Sequence, residues 1–406
     1  MQTKIHTYRA DFPILQQQVY GKPLVYLDNG ATTQKPLCVM DALTKAYLEG
    51  NSNIHRGVHY LSGEMTRAYE EARQTVQQFI GAEYSQEVIF TPGTTAGINA
   101  VAFSFGEQYV RPGDEILISH MEHHSNWVPW QMMCSRKGAV LKVIPFDEQG
   151  MPDMRVFRAM LTPRTRLLAI CHVSNTLGTI NPVAEMIGEA HRAGARVLID
   201  AAQSVQHMPV NVRALDCDFL VFSGHKMYGP NGIGVLYGKR ELLTEMPPYQ
   251  GGGEMVECVS VERTTYNELP FKFEAGTPPY PEALGLATAI EYLQRIGIDR
   301  IQQYEQDLLH FATEKLLGIP QLRIYGQAPE KSAILSFLVG NIHPYDLGMI
   351  LDKMGIAVRT GTHCTQPLMD RLGIEGTVRA SLAFYNTREE IEILAEGIIR
   401  AQRMFS

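Results

Sequence analysis

The sequence predicts an α/β protein of two domains: a large one built on a mostly parallel sheet between helices, and a smaller α+β unit toward the C-terminal end. Three observations predict it. From about Ser62 to Leu236, apolar runs of strand length alternate with helix-period segments, the order of elements typical of α/β folds. Those runs are nearly unbroken by polar residues, as suits strands buried on both faces. After about Pro281 the texture changes, and at 406 residues the chain exceeds the size at which one hydrophobic core keeps growing.

In chain order the strand candidates are EVIF (87–90), EILIS (115–119), VLKVI (140–144), LLAICHVS (167–174), RVLID (196–200) and FLVFS (219–223). GIGVLYG (232–238) reads as one more. In such sheets ligands collect at the carboxyl ends of strands, so Ser174, Asp200 and Ser223 are placed to meet one. Beyond Pro281, LGLATAIEYLQRIG sets Leu286, Ile290 and Leu293 at helical spacing, and IQQYEQDLLHFATEKLLG continues in that mode. AILSFLV then reads as a strand, YDLGMILDKMG as a helix, and IAVR and VRASLAF as strands. In the closing helix Thr387 and Glu390 stand at capping-box spacing, with Ile391, Leu394 and Ile398 on one face. The large domain is drawn as 21–285, and the small one as 1–20 with 286–406. No fixed-period repeat is present.

Hydrophobic residues make up 45% and charged residues 19%, the balance of an ordinary globular protein. The net charge of −7, without a basic run, argues against nucleic acid or an anionic membrane surface as the main partner. No stretch approaches the ~20 apolar residues needed to span a bilayer. The opening MQTKIHTYRADFPIL lacks the apolar core of a signal peptide. Cys38, Cys134, Cys171, Cys217, Cys258 and Cys364 are scattered without CxxC pairs, which suits free thiols in a cytoplasmic setting.

The chemistry gathers around DFLVFSGHKMYGPNGIGVLYG. Lys226 follows a buried strand in a turn bounded by Gly224 and Gly229. A lysine there is often a solvated surface residue. Ser223 and His225, however, are donors at a strand's carboxyl end, suited to a phosphate, and a desolvated lysine beside them could form a Schiff base with an aldehyde. Asp200 ends RVLID with Gln203 one turn on. It reads as a helix cap or as the carboxylate that keeps a pyridine nitrogen protonated. Thr94 and Thr95 open a helix after EVIF, as plain caps or as a phosphate cradle. His120, His123 and His124 follow EILIS: surface histidines, a zinc site lacking further ligands at metal spacing, or an imidazole laid on a planar cofactor. Together these groups at successive strand ends describe a pyridoxal 5′-phosphate site, with no metal required.

FSGHKMYGPNGIGVLYG with LIDAAQSVQH resembles the class V aminotransferase superfamily of fold-type I pyridoxal phosphate enzymes. Within it, NIHRGVHYLS, GTTAGINAVA, HMEHHSNWVPW, HVSNTLGT, FEAGTPP and RTGTHC resemble the group II (SufS/CsdA-like) cysteine desulfurases. The likeness runs from YLDNGAT near Asp28 to RASLAFYNT near Thr387. It implies that Lys226 is the Schiff-base lysine, that Asp200 faces the pyridine nitrogen, that Gln203 bonds the ring hydroxyl and that His123 stacks on the ring. It implies Thr95, Ser223 and His225 on the phosphate with Thr94 nearby, and Asn175 on both cofactor and substrate. Thr277 would be lent to the phosphate by a second subunit, hence a homodimer. Arg379 would take the substrate carboxylate, with Arg359 and His55 as lesser neighbours.

The same resemblance gives Cys364 its task. Lys226 would take the Cα proton of bound L-cysteine, and the Cys364 thiolate, favoured by cations such as Arg359, would attack the substrate sulfur, leaving a persulfide and releasing L-alanine. A SufE- or SufU-type acceptor feeding iron–sulfur cluster assembly is the implied partner. Two features depart from the subgroup: Thr362 stands where a second histidine is common, and GTPPYPEA is rich in proline. The competing readings are a selenocysteine lyase, an aminotransferase or kynureninase-like enzyme, which need no thiol nucleophile, and a non-catalytic assembly scaffold.

Overall fold

The computed structural model describes residues 5–405; the first four residues of the expected segment 1–20 lie outside them. Seven strands form the main sheet: β1 (Val88–Thr91), β2 (Glu115–Ser119), β3 (Val140–Ile144), β4 (Thr165–Cys171), β5 (Arg196–Asp200), β6 (Phe219–Ser223) and β7 (Gly234–Gly238). Their order is β1-β7-β6-β5-β4-β2-β3, parallel throughout except for β7, which runs antiparallel to both its neighbours. The expectation of a largely parallel sheet under helices is met.

Alternation along the strands builds a core on each face. Leu117, Leu168, Ile170, Val197, Ile199, Leu220 and Phe222 point into one. Ile116, Ile118, Leu167, Ala169, Leu198, Phe219 and Val221 point into the other, under helix α1 (Thr94–Tyr109). β3 departs from the expected two-sided burial: it is the sheet's edge, Val140 is 47% exposed, and Lys142 reaches Glu115 at 2.8 Å. The LLAICHVS strand ends early, at Cys171. His172 N–H donates to the Asp200 carbonyl, and the Ser174 hydroxyl accepts from Leu177 N at 3.1 Å.

A second sheet holds β8 (Leu322–Tyr325), β9 (Ile334–Val339), β10 (Arg359–Gly361) and β11 (Thr377–Ser381), all antiparallel, in the order β8-β9-β11-β10. Leu335, Phe337 and Val378 meet Leu394 and Ile398 of the closing helix α3 (Arg388–Met404) in a separate core. The capping box is present: Thr387 Oγ1 accepts from Glu390 N, and the Glu390 carboxylate accepts from Thr387 N. The boundary drawn after residue 285 falls inside helix α2 (Tyr280–Ile296), which packs with the large sheet's core. Phe12 packs there too, edge-on to Tyr228, Tyr292 and Phe384. No helix among the described residues is long and apolar enough to cross a membrane.

Candidate active site

A cavity of about 260 Å³ opens at the carboxyl ends of β4, β5 and β6 and is closed on one side by the β10–β11 sheet. Lys226 lines it from the turn after β6, together with Asp200 and Gln203 from the end of β5. Burial pulls the Lys226 amine below its usual value, and the Asp200 carboxylate only partly offsets this. Asp200 itself is 5% exposed. Burial pushes its carboxyl up, while the Ala202 N–H at 3.0 Å and the Lys226 charge oppose. A cationic N–H on a ring beside it would complete the pairing.

Opposite lies the phosphate candidate. Ser223 Oγ accepts from Thr94 N at 2.9 Å and lies 2.8 Å from Thr94 Oγ1, at the N-terminus of α1. Gly93 has φ +152°, and a Cβ there would meet Ser223 Oγ at 3.2 Å, so glycine keeps this mouth open. Thr95 and His225 line the same end. The His225 carbonyl, one residue before Lys226, accepts from Thr33 N, Thr32 Oγ1 and Lys35 Nζ at 3.1, 2.9 and 2.9 Å, which holds the lysine turn in place.

His123 projects from the turn after β2. Its Nδ1 accepts from Ser125 N at 3.1 Å, and burial followed by the Lys226 charge pulls the imidazole down to about 3. It is a neutral ring at physiological pH. Of the other histidines on that turn, His124 accepts from Gln366 N through Nε2, and His120 packs near Trp127 and Phe146, so neither joins His123 in the cavity.

The small sheet supplies the other wall. Arg379, 2% exposed, donates through Nη1 to the Asn175 carbonyl at 2.9 Å. The Asn175 amide donates to the His363 carbonyl at 2.8 Å. Cys364 is exposed yet lines the cavity, and its carbonyl accepts from His124 N at 2.8 Å. The cysteine segment is thereby pinned to the His123 turn. Arg359 lines the same wall.

The residues fit pyridoxal 5′-phosphate. A glycine-lined cradle with hydroxyls at a helix N-terminus suits a phosphate. Gln203 Oε1 and Arg379 Nε are buried without protein partners, as expected where a ligand completes the bonding.

Of the sequence-predicted residues, the cavity brings together Thr94, Thr95, His123, Asn175, Asp200, Gln203, Ser223, His225, Lys226, Arg359, Cys364 and Arg379. Besides His120 and His124, three stand elsewhere in this chain. Ser174 caps its own turn because β4 stops short. His55 lies outside the cavity, near Glu70 and Glu254 at 3.4 and 3.7 Å and edge-on to Phe271. Thr277 is exposed and outside it. Sequence reasoning missed Asp28 and Glu122. Asp28 ends the short apolar VYLD, a strand-end acid of the kind that singled out Asp200. Glu122, wholly buried, accepts from Ser119 Oγ and Asn126 Nδ2, each at 2.6 Å, and burial pushes it up to about 7.

Residues 25–394 match the family model described as aminotransferase class-V. A cysteine desulfurase of Escherichia coli O127:H6 is 50% identical over 405 residues and is covered, like this chain, over 100% of its length. A probable cysteine desulfurase 1 of Mycobacterium leprae is 52% identical over 396 residues, 98% of this chain; the match spans only 65% of that longer protein. Among solved structures, the E. coli cysteine desulfurase CsdA in an S-sulfonic acid form superimposes with a TM-score of 0.92, at 39% identity, over 100% of both chains.

Proposed function

The chain belongs to the aminotransferase class-V family, and from that premise we propose that it is a pyridoxal 5′-phosphate-dependent cysteine desulfurase. It converts L-cysteine to L-alanine and holds the sulfur as a persulfide on Cys364, for delivery to iron–sulfur cluster assembly. One observation carries this reading over a transaminase: an exposed thiol, Cys364, shares a cavity with Lys226 and Arg379.

Lys226 would carry the cofactor's aldehyde, Asp200 and Gln203 would hold its ring nitrogen and hydroxyl, and Thr94, Thr95, Ser223 and His225 its phosphate. When bound, the cofactor supplies a protonated ring that delocalises the electron pair left at the substrate Cα. Lys226 is suited to move the Cα proton because desolvation biases its amine toward the neutral form. His123, neutral, covers the ring face without adding a competing cation. Arg379 binds the substrate carboxylate and Asn175 orients the bound substrate. The Cys364 thiolate then forms an S–S bond as the substrate Cβ–S bond breaks. The released pair stays with the carbon skeleton and, protonated, becomes a C–H bond of L-alanine.

The finer reading is a SufS-type, cytoplasmic homodimer that hands sulfur to a SufE- or SufU-type protein. An exposed Thr277 outside its own cavity supports a contribution to a second subunit's phosphate; His55, expected beside the substrate, lies outside the cavity of its own chain. Six free cysteines suit a reducing compartment. The test is Cys364→Ala, which retains bound cofactor and loses at least about 100-fold of L-alanine release from L-cysteine. Near-normal release would refute the persulfide step, and the same assay on L-selenocysteine separates a lyase.

A further inference from the structure

Arg359 and Arg379 are direct cross-strand partners of β10 and β11. Like charges directly opposite in an antiparallel pair repel, and one of them, Arg379, is almost wholly buried. Asp28 resolves the conflict. Its backbone is bridged to Ser381, one strand residue beyond Arg379's neighbour, with Leu27 N donating to the Ala357 carbonyl and Ser381 N to the Leu27 carbonyl. Its carboxylate accepts from Arg359 Nε at 3.1 and 3.2 Å and from Arg379 Nη2 at 3.2 Å. A single carboxylate from a distant segment therefore bridges both guanidinium groups.

The bond fixes which edge of Arg379 is free. Nη1 is held by the Asn175 carbonyl and Nη2 gives one hydrogen to Asp28, while Nε is buried and unpartnered. Three of its five N–H hydrogens remain, and among them the Nε–H with the second Nη2 hydrogen forms a side-on fork matched to a carboxylate. Gly30, two residues after Asp28, completes the seat: a Cβ there would lie 3.2 Å from Arg379 Cζ and Nη2. The DNG stretch thus grips the guanidinium by its edge and clears its face.

We propose that Asp28 is a positioning residue of the substrate-carboxylate site: it holds Arg379 rotated so that its Nε–Nη2 edge meets the α-carboxylate, and it ties Arg359, at the root of the cysteine segment, to the same point. The inference rests on the reading of Arg379 as the carboxylate residue, but not on sulfur chemistry. Its test uses the pyridoxal phosphate-loaded protein and two amines, L-alanine and ethylamine, which differ by the carboxylate alone. Binding is titrated from the absorbance of the bound cofactor in wild type and Asp28→Asn. The expected result is an L-alanine dissociation constant raised about tenfold, as for loss of a charge-assisted contact, with ethylamine within about twofold. Asp28→Glu, which keeps the charge but displaces it, provides the same comparison should the amide variant fail to fold. Unchanged L-alanine affinity, or equal weakening of both amines, would overturn the proposal. A protein that binds L-alanine in this Asp28-dependent way yet never desulfurates L-cysteine would refute the desulfurase reading alone.

Discussion

His363 and Cys364 sit side by side in the left-handed region, with φ +53° and +57°, a conformation that costs each non-glycine residue about 1 kcal/mol or more. The surrounding bonds hold them there: Asn175 to the His363 carbonyl, His363 Nε2 with Thr377 Oγ1 at 2.8 Å, and His124 to the Cys364 carbonyl. The result turns a thiol outward while burying the imidazole before it. Thr362 contributes its backbone, whose carbonyl accepts from Thr365 N and Oγ1. Burial pulls His363 down to about 3. Because that folded value lies below the unfolded one, its stability contribution is complete above about pH 6.5 and is lost as pH falls toward 3. Between pH 6.5 and 5, urea unfolding should show the wild type losing about 2 kcal/mol more than His363→Gln; equal losses would contradict a neutral, buried imidazole. Arg379→Lys should raise the KM for L-cysteine about tenfold or more, because an ammonium cannot reproduce the planar fork. Steady-state kinetics checks it, and an unchanged KM would move the carboxylate site elsewhere.

Among the elements, the segment leading to Thr277 is held by the buried Arg73, which pairs with Glu274 and with Glu70. Arg73 donates to both Glu274 oxygens, at 2.6 and 2.9 Å, and its guanidinium lies 4.9 Å from the Phe90 ring centroid. Tyr69 Oη and Phe90 N donate to the same carboxylate at 3.0 and 2.7 Å. Glu274→Ala leaves the buried Arg73 with Glu70, at 2.9 Å, as its remaining carboxylate, so chemical denaturation should find about 3 kcal/mol lost, the low end for breaking a buried pair; less than about 1 kcal/mol would mean that Glu70 alone compensates. The cap of α3 is a smaller matter: Thr387→Ala should cost about 1 kcal/mol. That cap was legible from residue types alone, as were β2, β3, β5 and β6 to the residue, since short β-branched runs bounded by polar residues carry their own limits. The LLAICHVS strand was overextended because the chain folds back after Cys171, with Ser174 N bonded to the Thr179 carbonyl and Asn181 N to the His172 carbonyl, a turn that the apolar run does not announce. β3 looked doubly buried because an apolar run does not say whether its strand lies in the middle of a sheet or at its edge.

For the molecule as a whole, function depends on two sheets meeting around one cavity. The sequence displays the groups at the ends of β5 and β6, because parallel sheets place ligands there and Lys226, Asp200 and Ser223 are unusual in otherwise apolar runs. It does not display Asp28, since its partners lie more than 330 positions away and only the closed fold brings them together. Nor does this chain's own cavity take in Thr277, which the resemblance assigns to a second subunit's phosphate, or His55, expected beside the substrate. Mass spectrometry of the Cys364 peptide after mixing the cofactor-loaded protein with L-cysteine, without an acceptor, tests the central claim most directly. The account predicts one added sulfur atom on Cys364 and one equivalent of L-alanine per site; L-alanine released with that cysteine unmodified would contradict it.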